Sequence, residues 1–231
     1  MKKSLARKLS VFFAGIVFIT CLVLVGLTVM IFGNIEDRMK DVLYENTLQS
    51  YKTEVKSEVQ SAISSIEYYY NLSDSGKIDE ATAKKDALEA LRNLRYGDDD
   101  SGYFWVDDTD YNLVMHPILP EQEGTNRYDL TDKNGVKIIQ SIMKTAESGG
   151  GFNEFYFTKS DGKTVAPKVA YSQKFDKWNW VITTGIYSDD IHEIVNKSDG
   201  LRRIVKIFNG SANFLIVVGI VLVLVMLVIS Y

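Results

Sequence analysis

Two long stretches without a charged residue stand out in the pattern of hydrophobic and polar positions, one near each end of the chain. Residues 11–32 form a first stretch of 22 residues, and residues 214–231 form a second of 18. Because an α-helix rises about 1.5 Å per residue, each can cross roughly 30 Å of hydrocarbon. The pattern therefore predicts a tail at 1–10, a transmembrane helix at 11–32, an outer domain at 33–206, and a juxtamembrane segment with a second transmembrane helix at 207–231.

A long amphipathic helix is predicted directly after the first apolar stretch. Residues 34–71 contain no Gly or Pro, and apolar side chains recur there every three or four positions. Its distal half carries a stripe that suits packing on its own domain. The membrane-proximal positions Ile35, Met39 and Val42 have no evident partner within the chain, so we expect them to form a homodimer contact.

The residue pattern changes after Tyr96, where short runs of aromatic and β-branched residues are separated by segments that contain Gly. The predicted strands are residues 102–107, 112–116, 151–158, 164–173 and 178–187. Helices are predicted at 78–95, at 136–146 and from 188 to 206. Because long helices do not separate most of the strands, the pattern favours an antiparallel sheet and the α+β class over a βαβ architecture.

Charge and cysteine content narrow the location and the partners. Four basic residues precede the first apolar stretch, which favours an amino terminus in the cytoplasm and an outer domain in the periplasm or outside the cell. The outer domain holds 22 basic and 30 acidic residues, which argues against a nucleic-acid partner. The single cysteine, Cys21, lies in the first stretch, so the outer domain has no disulfide. A cleaved signal peptide is the alternative for that stretch, but its apolar core usually has only about 7–15 residues.

The sequence contains no recognisable catalytic motif. The chain has two histidines, His116 and His192, and lacks a zinc-protease helix motif, a phosphate-binding loop and a nucleophile elbow. Acidic runs at 98–100 and 107–110 resemble part of a calcium loop but lack its downstream Glu. We therefore expect no enzyme activity, no cofactor and no metal site.

Several polar side chains are embedded in the apolar strands. Tyr103 and Trp105 share one face of their strand, while Lys168 and Tyr171 interrupt an apolar run and His116 ends another. A buried lysine is costly unless it meets an anion. We interpret these residues as a small, partly apolar pocket that fits a carboxylate. The alternatives are a lysine on a solvated edge, a histidine held by backbone groups, and aromatic residues that only fill the core.

These motifs, taken in order, resemble the single Cache sensor domain of bacterial transmembrane receptors, above all methyl-accepting chemotaxis proteins. The resemblance covers about residues 35–191. It is carried by Gly102-Tyr-Phe-Trp-Val106, Met115-His-Pro117, Pro167-Lys168-x-x-Tyr171, Trp178-x-Trp180 and Thr184-Gly-Ile-Tyr187-x-Asp-Asp-Ile191. It implies a long amino-terminal helix packed on a PAS-like antiparallel sheet, and a pocket for short carboxylates such as acetate, propionate, lactate or pyruvate.

The resemblance points to the same five pocket residues, and we add Arg95, at the end of the second predicted helix, as a further cation. Lys168, helped by Arg95, would hold the carboxylate; Tyr103, Tyr171 and His116 would donate hydrogen bonds; and Trp105 would close the apolar wall. Receptors of this family continue into a HAMP segment and a cytoplasmic signalling coil. Because the sequence stops at Tyr231, we expect the sensor part of such a receptor, truncated after the second transmembrane helix.

We accordingly expect a two-pass protein of the inner (plasma) membrane that binds a small ligand outside the cytoplasm and signals across the membrane. Two other outputs are open: the same input domain could serve a sensor histidine kinase or a cyclic-dinucleotide enzyme. A third reading is a membrane-anchored interaction domain without a small ligand.

Overall fold

A computed structural model of the chain describes residues 2–97, 100–159 and 161–229. The chain divides into two compact units. A terminal unit contains Met1–Glu45 and Glu193–Tyr231, and a central unit contains Asn46–His192. Asp98, Asp99, Ser160 and the last two positions of the predicted second transmembrane segment lie outside the described residues.

The terminal unit is built from the apolar helical segments. Helix α1 spans Lys2–Asp74, 73 residues without a break, as the Gly- and Pro-free sequence after residue 33 predicts. The last helix, α5, spans Asp199–Ile229. Both helices are long and apolar enough to cross a membrane. Within this unit a Cβ added to Gly219 would lie 3.3 Å from the sulfur of Cys21, so the two apolar segments approach closely there.

The predicted helix at 188–206 is divided in two. Helix α4 spans Ser188–Lys197, and α5 begins at Asp199, so the helical run is interrupted at Ser198. The Arg202 guanidinium donates a hydrogen bond to the carbonyl of Lys197, which satisfies one acceptor at the end of α4.

The central unit holds a five-stranded antiparallel sheet of order β2-β1-β5-β4-β3. The remaining elements are α2 (Glu80–Asn93), β1 (Trp105–Asp108), β2 (Leu113–Met115), a 3₁₀ turn (Pro120–Gln122), α3 (Ile138–Glu147), β3 (Gly151–Thr158), β4 (Val165–Phe175) and β5 (Trp180–Tyr187). Every predicted strand overlaps an observed one, and β1 and β4 extend one and two residues beyond their predicted ends. The α+β class with an antiparallel sheet and a long amino-terminal helix is thus confirmed.

Each face of the sheet carries its own hydrophobic core. On one face, α1 and α2 pack through Ile66 and Leu91, which are buried, against strand residues such as Val106 and Ile182. On the other face, α3 packs on a second cluster that includes Trp105. Full burial of one such aliphatic side chain contributes about 1.5–3 kcal/mol to the stability of the fold. The two cores therefore stabilise the sheet between its helical layers.

The pairing of β4 with β5 is very close at one glycine. A Cβ added to Gly185 would lie 2.4 Å from the carbonyl oxygen of Val169 and 2.7 Å from Cα of Ala170. Only glycine lets the two strands approach to this distance. The resulting register places Lys168 directly opposite Tyr187, the last residue of β5.

Candidate functional site

A buried lysine lies at the centre of the candidate site. Lys168 is only 1% exposed and belongs to β4, with α3 on the same side of the sheet. Its ammonium Nζ donates to the hydroxyl of Tyr103 at 2.9 Å and to that of Tyr187 at 3.5 Å. Among the described residues, no carboxylate forms an ion pair with this ammonium. The site thus carries one buried positive charge without a counter-ion.

Four aromatic rings surround the ammonium. The distances from Nζ to the ring centroids are 4.3 Å for Tyr103, 4.7 Å for Tyr187, 4.8 Å for Trp105 and 5.7 Å for Phe157. A ring face attracts a cation by about 0.5–1 kcal/mol, or more when both are desolvated. The rings therefore offset part of the free energy that burial of the charge costs, but they do not neutralise the charge. We call Lys168 and these four residues the lysine cage.

The two tyrosines of the cage ionise differently. Burial raises the pKa of Tyr187, so its phenol stays protonated, and it donates to the carbonyl of Thr158 at 2.6 Å. Burial also opposes ionisation of Tyr103, but the adjacent Lys168 charge and the hydrogen bond that Lys168 donates outweigh it and lower the pKa of Tyr103. Tyr103 is therefore the more polarised of the two hydroxyl groups at the cation.

His116 provides a second hydrogen-bond donor beside the cage. Its ring is fully buried and stacks on Trp105 at 6.0 Å and on Phe157 at the same distance. Nδ1 accepts the backbone N–H groups of Ile118 and Leu119 at 3.1 and 3.2 Å. An Nδ1 that accepts assigns the proton of the neutral ring to Nε2.

The electrostatic surroundings keep that imidazole neutral. Burial, reinforced by the positive charge of Lys168, lowers the pKa of His116 to about 3. Its Nε2 is buried and has no hydrogen-bond partner among residues 2–97, 100–159 and 161–229. A buried N–H without an acceptor costs about 1–3 kcal/mol, which an anionic ligand would recover. His116 and Lys168 together therefore present donors and no competing carboxylate.

The loop after His116 is held by a carboxylate that sequence reasoning missed. Glu123 accepts the backbone N–H of His116 at 2.8 Å and both terminal nitrogens of Arg92, in α2, at 2.7 and 2.9 Å. Burial opposes its ionisation, but the hydrogen bonds from Arg92 and His116 prevail, and the pKa of Glu123 is lowered. This bidentate pair fixes the backbone from which the imidazole projects.

A buried ion pair, also missed from the sequence, lies two residues beyond Trp105. Asp107 is fully buried and accepts from Nε of Arg127 at 3.0 Å and from one of its terminal nitrogens. The two residues are 20 positions apart in the sequence, and a charge in a strand gives no hint of a partner in a distant loop. Because Asp107 neutralises Arg127, the net charge of this region comes from Lys168.

The structure brings four of the six predicted site residues together and leaves two apart. Tyr103, Trp105, His116 and Lys168 converge in or beside the lysine cage. Arg95 is exposed, and its guanidinium donates to the carbonyls of Arg92 and Leu94 at 2.8 Å each. The structure therefore places the Arg95 side chain apart from the lysine cage.

Tyr171 is the second predicted residue that does not join the cage. It is part of the core on the α1 and α2 side, and its hydroxyl lies 3.4 Å from the side-chain oxygen of Gln173. Side chains alternate along a strand, so a residue three positions from Lys168 points to the opposite face. Tyr187 and Phe157 take part in the cage instead.

A cleft of about 260 Å³ lies near the cage but has a different lining. It is formed by the segment from Asp132 to Val136, by β3 and β4 residues and by Ser188. Lys168 contributes to the cleft, whereas none of the four aromatic residues of the cage does. In the described part of the chain, no three His, Cys, Asp or Glu side chains cluster closely enough to bind a metal ion.

Comparison with known families identifies the fold. Residues 47–199 match the family model described as Single Cache domain 2. The chain belongs to this family. The resemblance predicted from the motifs is thereby confirmed, and the matched range covers all strands of the Cache domain as well as the lysine cage.

Relatives of this Cache domain occur in two kinds of receptor. The sensor histidine kinase MctS of Rhizobium johnstonii is 33% identical over 75% of this chain and 37% of its own length. The methyl-accepting chemotaxis protein McpP of Pseudomonas putida is 27% identical over 64% of this chain and 27% of its own. The chain thus spans about a third of the length of the curated relatives it matches.

A solved structure of similar fold concerns ligand recognition. It is described as the structural basis for carboxylic acid recognition by a Cache chemosensory domain. It is 26% identical to this chain, with a TM-score of 0.58, and the match covers 62% of this chain and 97% of that one.

Proposed function

We propose that this chain is the extracytoplasmic sensor part of a transmembrane chemoreceptor, and that it binds a short-chain carboxylate in the lysine cage. The ligand carboxylate accepts from the ammonium of Lys168 and from Nε2–H of His116. The hydroxyl of Tyr103 assists, and Trp105 and Phe157 form the apolar wall around the alkyl end. Arg95 and Tyr171 are left out of this site because of where their side chains lie. We assign no catalytic step to the domain.

The observation that carries this proposal is the unpaired buried charge of Lys168. A buried cation whose neighbours are rings and hydroxyl groups is stabilised strongly by an anion. Beside the cage, the Nε2–H of the buried His116 has no acceptor in the part of the chain that the structure describes. The carboxylic acid recognition by a related Cache chemosensory domain agrees with this chemistry.

The size and charge of the site favour a small monoanion. The site supplies a single positive charge, because Arg127 is already paired with Asp107. A ligand of about five heavy atoms gains at most ~7 kcal/mol at a ceiling of ~1.5 kcal/mol per atom. That limit corresponds to a Kd of about 10 µM or weaker.

Calorimetry and thermal shift with the 231-residue chain in lipid nanodiscs test the proposal. Acetate, propionate, lactate and pyruvate are the ligands, and glycine and methylamine serve as comparison compounds. We expect at least one carboxylate to bind with a Kd of 10 µM to 1 mM, as the ceiling allows. In Lys168→Met the binding is lost, because the cation is removed.

Arg95→Met is the matched control for that variant. It removes an exposed cation whose guanidinium bonds to backbone carbonyls, so binding should stay within about twofold of the wild type. The proposal is refuted if no carboxylate raises the melting temperature, or if folded Lys168→Met still binds as the wild type does. If Arg95→Met alone loses binding, the carboxylate binds outside the lysine cage.

A second output has specific support. The relative MctS, named as a sensor histidine kinase, is 33% identical to this chain over 175 residues. The same input domain could therefore control a kinase. A cyclic-dinucleotide enzyme or a plain interaction domain has no comparable support.

The proposal includes two membrane spans and a homodimer. Four basic residues ahead of the first span support a cytoplasmic amino terminus, with the Cache domain outside. In the terminal unit, Ile35 and Val42 of α1 are 45% and 59% exposed, which supports their use in a contact between two copies. A single-chain mass at every protein concentration in detergent would contradict the dimer.

A further inference from the structure

The lysine cage is joined directly to the start of helix α4 by one residue. Tyr187 is the last residue of β5, and Ser188 is the first residue of α4. The Tyr187 hydroxyl lies 3.5 Å from Nζ of Lys168 and donates to the carbonyl of Thr158 at 2.6 Å. One phenol therefore contacts both the proposed ligand-binding cation and the end of strand β3.

The first turn of α4 is held by further contacts to the same strand end. Lys159 follows Thr158, and its ammonium lies 2.8 Å from a carboxylate oxygen of Asp189 and 2.6 Å from one of Asp190. The same ammonium lies 5.2 Å from the ring centroid of Tyr187. We call Thr158, Lys159, Tyr187, Asp189 and Asp190 the helix clamp.

The hydroxyl of Tyr187 is the member of the clamp that a ligand can reach. Its O–H donates to a neutral carbonyl, and a carboxylate bound at Lys168 would offer a charged acceptor close by. Hydrogen bonds to a charged acceptor are roughly twice as strong as those to a neutral one. A bound carboxylate thus competes with Thr158 for this proton donor.

We infer that Tyr187 is a positioning residue that couples occupancy of the lysine cage to α4, by exchanging its hydrogen bond from Thr158 to the bound anion. The inference rests on the proposed function, since it needs a carboxylate at Lys168. Loss of the Thr158 bond loosens the helix clamp, and the first turn of α4 becomes freer. A ligand shifts such an equilibrium only because it binds the two arrangements differently.

Hydrogen–deuterium exchange with the 231-residue chain in nanodiscs tests the coupling. Acetate and propionate are added at concentrations that saturate each protein. In the wild type we expect slower exchange of amides in β4 and β5, and about fivefold faster exchange in the second turn of α4, whose amides bond to the carbonyls of the first turn; loss of one hydrogen bond predicts this factor. In Tyr187→Phe that second turn should exchange fast with or without ligand.

Tyr103→Phe is the matched control for this experiment. It removes the other hydroxyl that contacts the Lys168 ammonium, at 2.9 Å, but it leaves the hydrogen bond from Tyr187 to Thr158 in place. At saturation its α4 should still respond as in the wild type, although its affinity is lower. A merely structural role of the phenol would change stability without abolishing the ligand-linked difference.

The outcomes separate this inference from the proposed function. If neither carboxylate binds the wild type, the proposed function and the coupling both fail. If a carboxylate binds but α4 slows together with the sheet, or if Tyr187→Phe keeps the wild-type difference, the coupling alone is overturned.

Discussion

Replacement of Lys168 by methionine should stabilise the ligand-free Cache domain while it abolishes ligand binding. The two side chains have similar length, so the ring contacts of the cage can be retained. Methionine brings no charge into the site. The wild type therefore retains a charge that costs folding free energy, and the variant removes that cost.

The magnitude follows from opposing contributions. Moving an ammonium from water into the interior costs several kcal/mol. The four rings return about 0.5–1 kcal/mol each and the Tyr103 hydrogen bond about 1.5–3 kcal/mol. These terms nearly cancel, whereas a buried methionine gains about 1.5–3 kcal/mol from water. After about 1 kcal/mol is lost at the unpartnered Tyr103 hydroxyl, the variant gains about 0.5–2 kcal/mol.

Intrinsic fluorescence in a thermal melt provides the assay. All three tryptophans, Trp105, Trp178 and Trp180, lie in the central unit, so the signal reports on the Cache domain and not on the membrane segments. A gain of about 0.5–2 kcal/mol raises the melting temperature by about 1–8 °C in a domain of this size. Carboxylate at 100 times its Kd stabilises the wild type by about 2.7 kcal/mol and does not bind the variant. With ligand, the wild type should therefore have the higher melting temperature of the two.

Lys174→Met is the control on the same strand. Lys174 is partly exposed and lies 3.1 Å from Asp176, so its replacement should change stability by no more than about 0.5 kcal/mol. A drop of more than 5 °C in Lys168→Met would show, on the same scale, that the ammonium is satisfied by the protein alone. The reasoning from an unpaired charge would then be refuted.

Three further changes test other parts of the site. Because burial lowers the pKa of His116 to about 3, the unfolded chain binds more protons between pH 6.5 and 3, and this residue costs stability as the pH falls. Urea unfolding should show that the wild type loses about 2 kcal/mol more than His116→Phe between pH 7 and 5, and an equal loss would contradict the assignment. Asp107→Ala should lower the unfolding free energy by about 3–5 kcal/mol, most of it restored in Asp107→Leu combined with Arg127→Met, because two apolar side chains leave no buried charge. Gly185→Ala should cost about 3 kcal/mol, since its Cβ would overlap the Val169 carbonyl; an unchanged urea midpoint would show that the strands can separate locally.

Strand periodicity was sufficient to predict part of the site. Tyr103 and Trp105, two positions apart, lie on one face and both contact the Lys168 ammonium. The same rule, applied to Lys168 and Tyr171, places them on opposite faces, and proximity in the sequence does not bring their side chains together. The charge of Arg95 likewise carries no information about the direction of its side chain.

Other members of the site depend on long-range geometry. Tyr187 lies opposite Lys168 because the turn between β4 and β5 pairs Phe175 with Trp180 and so sets the register. Asn179, in that turn, has a left-handed backbone, with φ of 53°, a conformation that asparagine tolerates. The contact between Glu123 and Arg92 joins residues 31 positions apart, and local periodicity carries no information about it.

The crowding of aromatic rings around Lys168 has a consequence for selectivity. Rings arranged in this way recognise ammonium groups in other proteins, but here the chain's own lysine occupies that place. Glycine differs from acetate only by an ammonium group. Under the proposed function, that group would enter a site whose rings already contact the Lys168 ammonium, and the positive charge of Lys168 would repel it. The cage would therefore distinguish fatty acids from amino acids through its own cation, with no side chain needed to exclude the amine sterically.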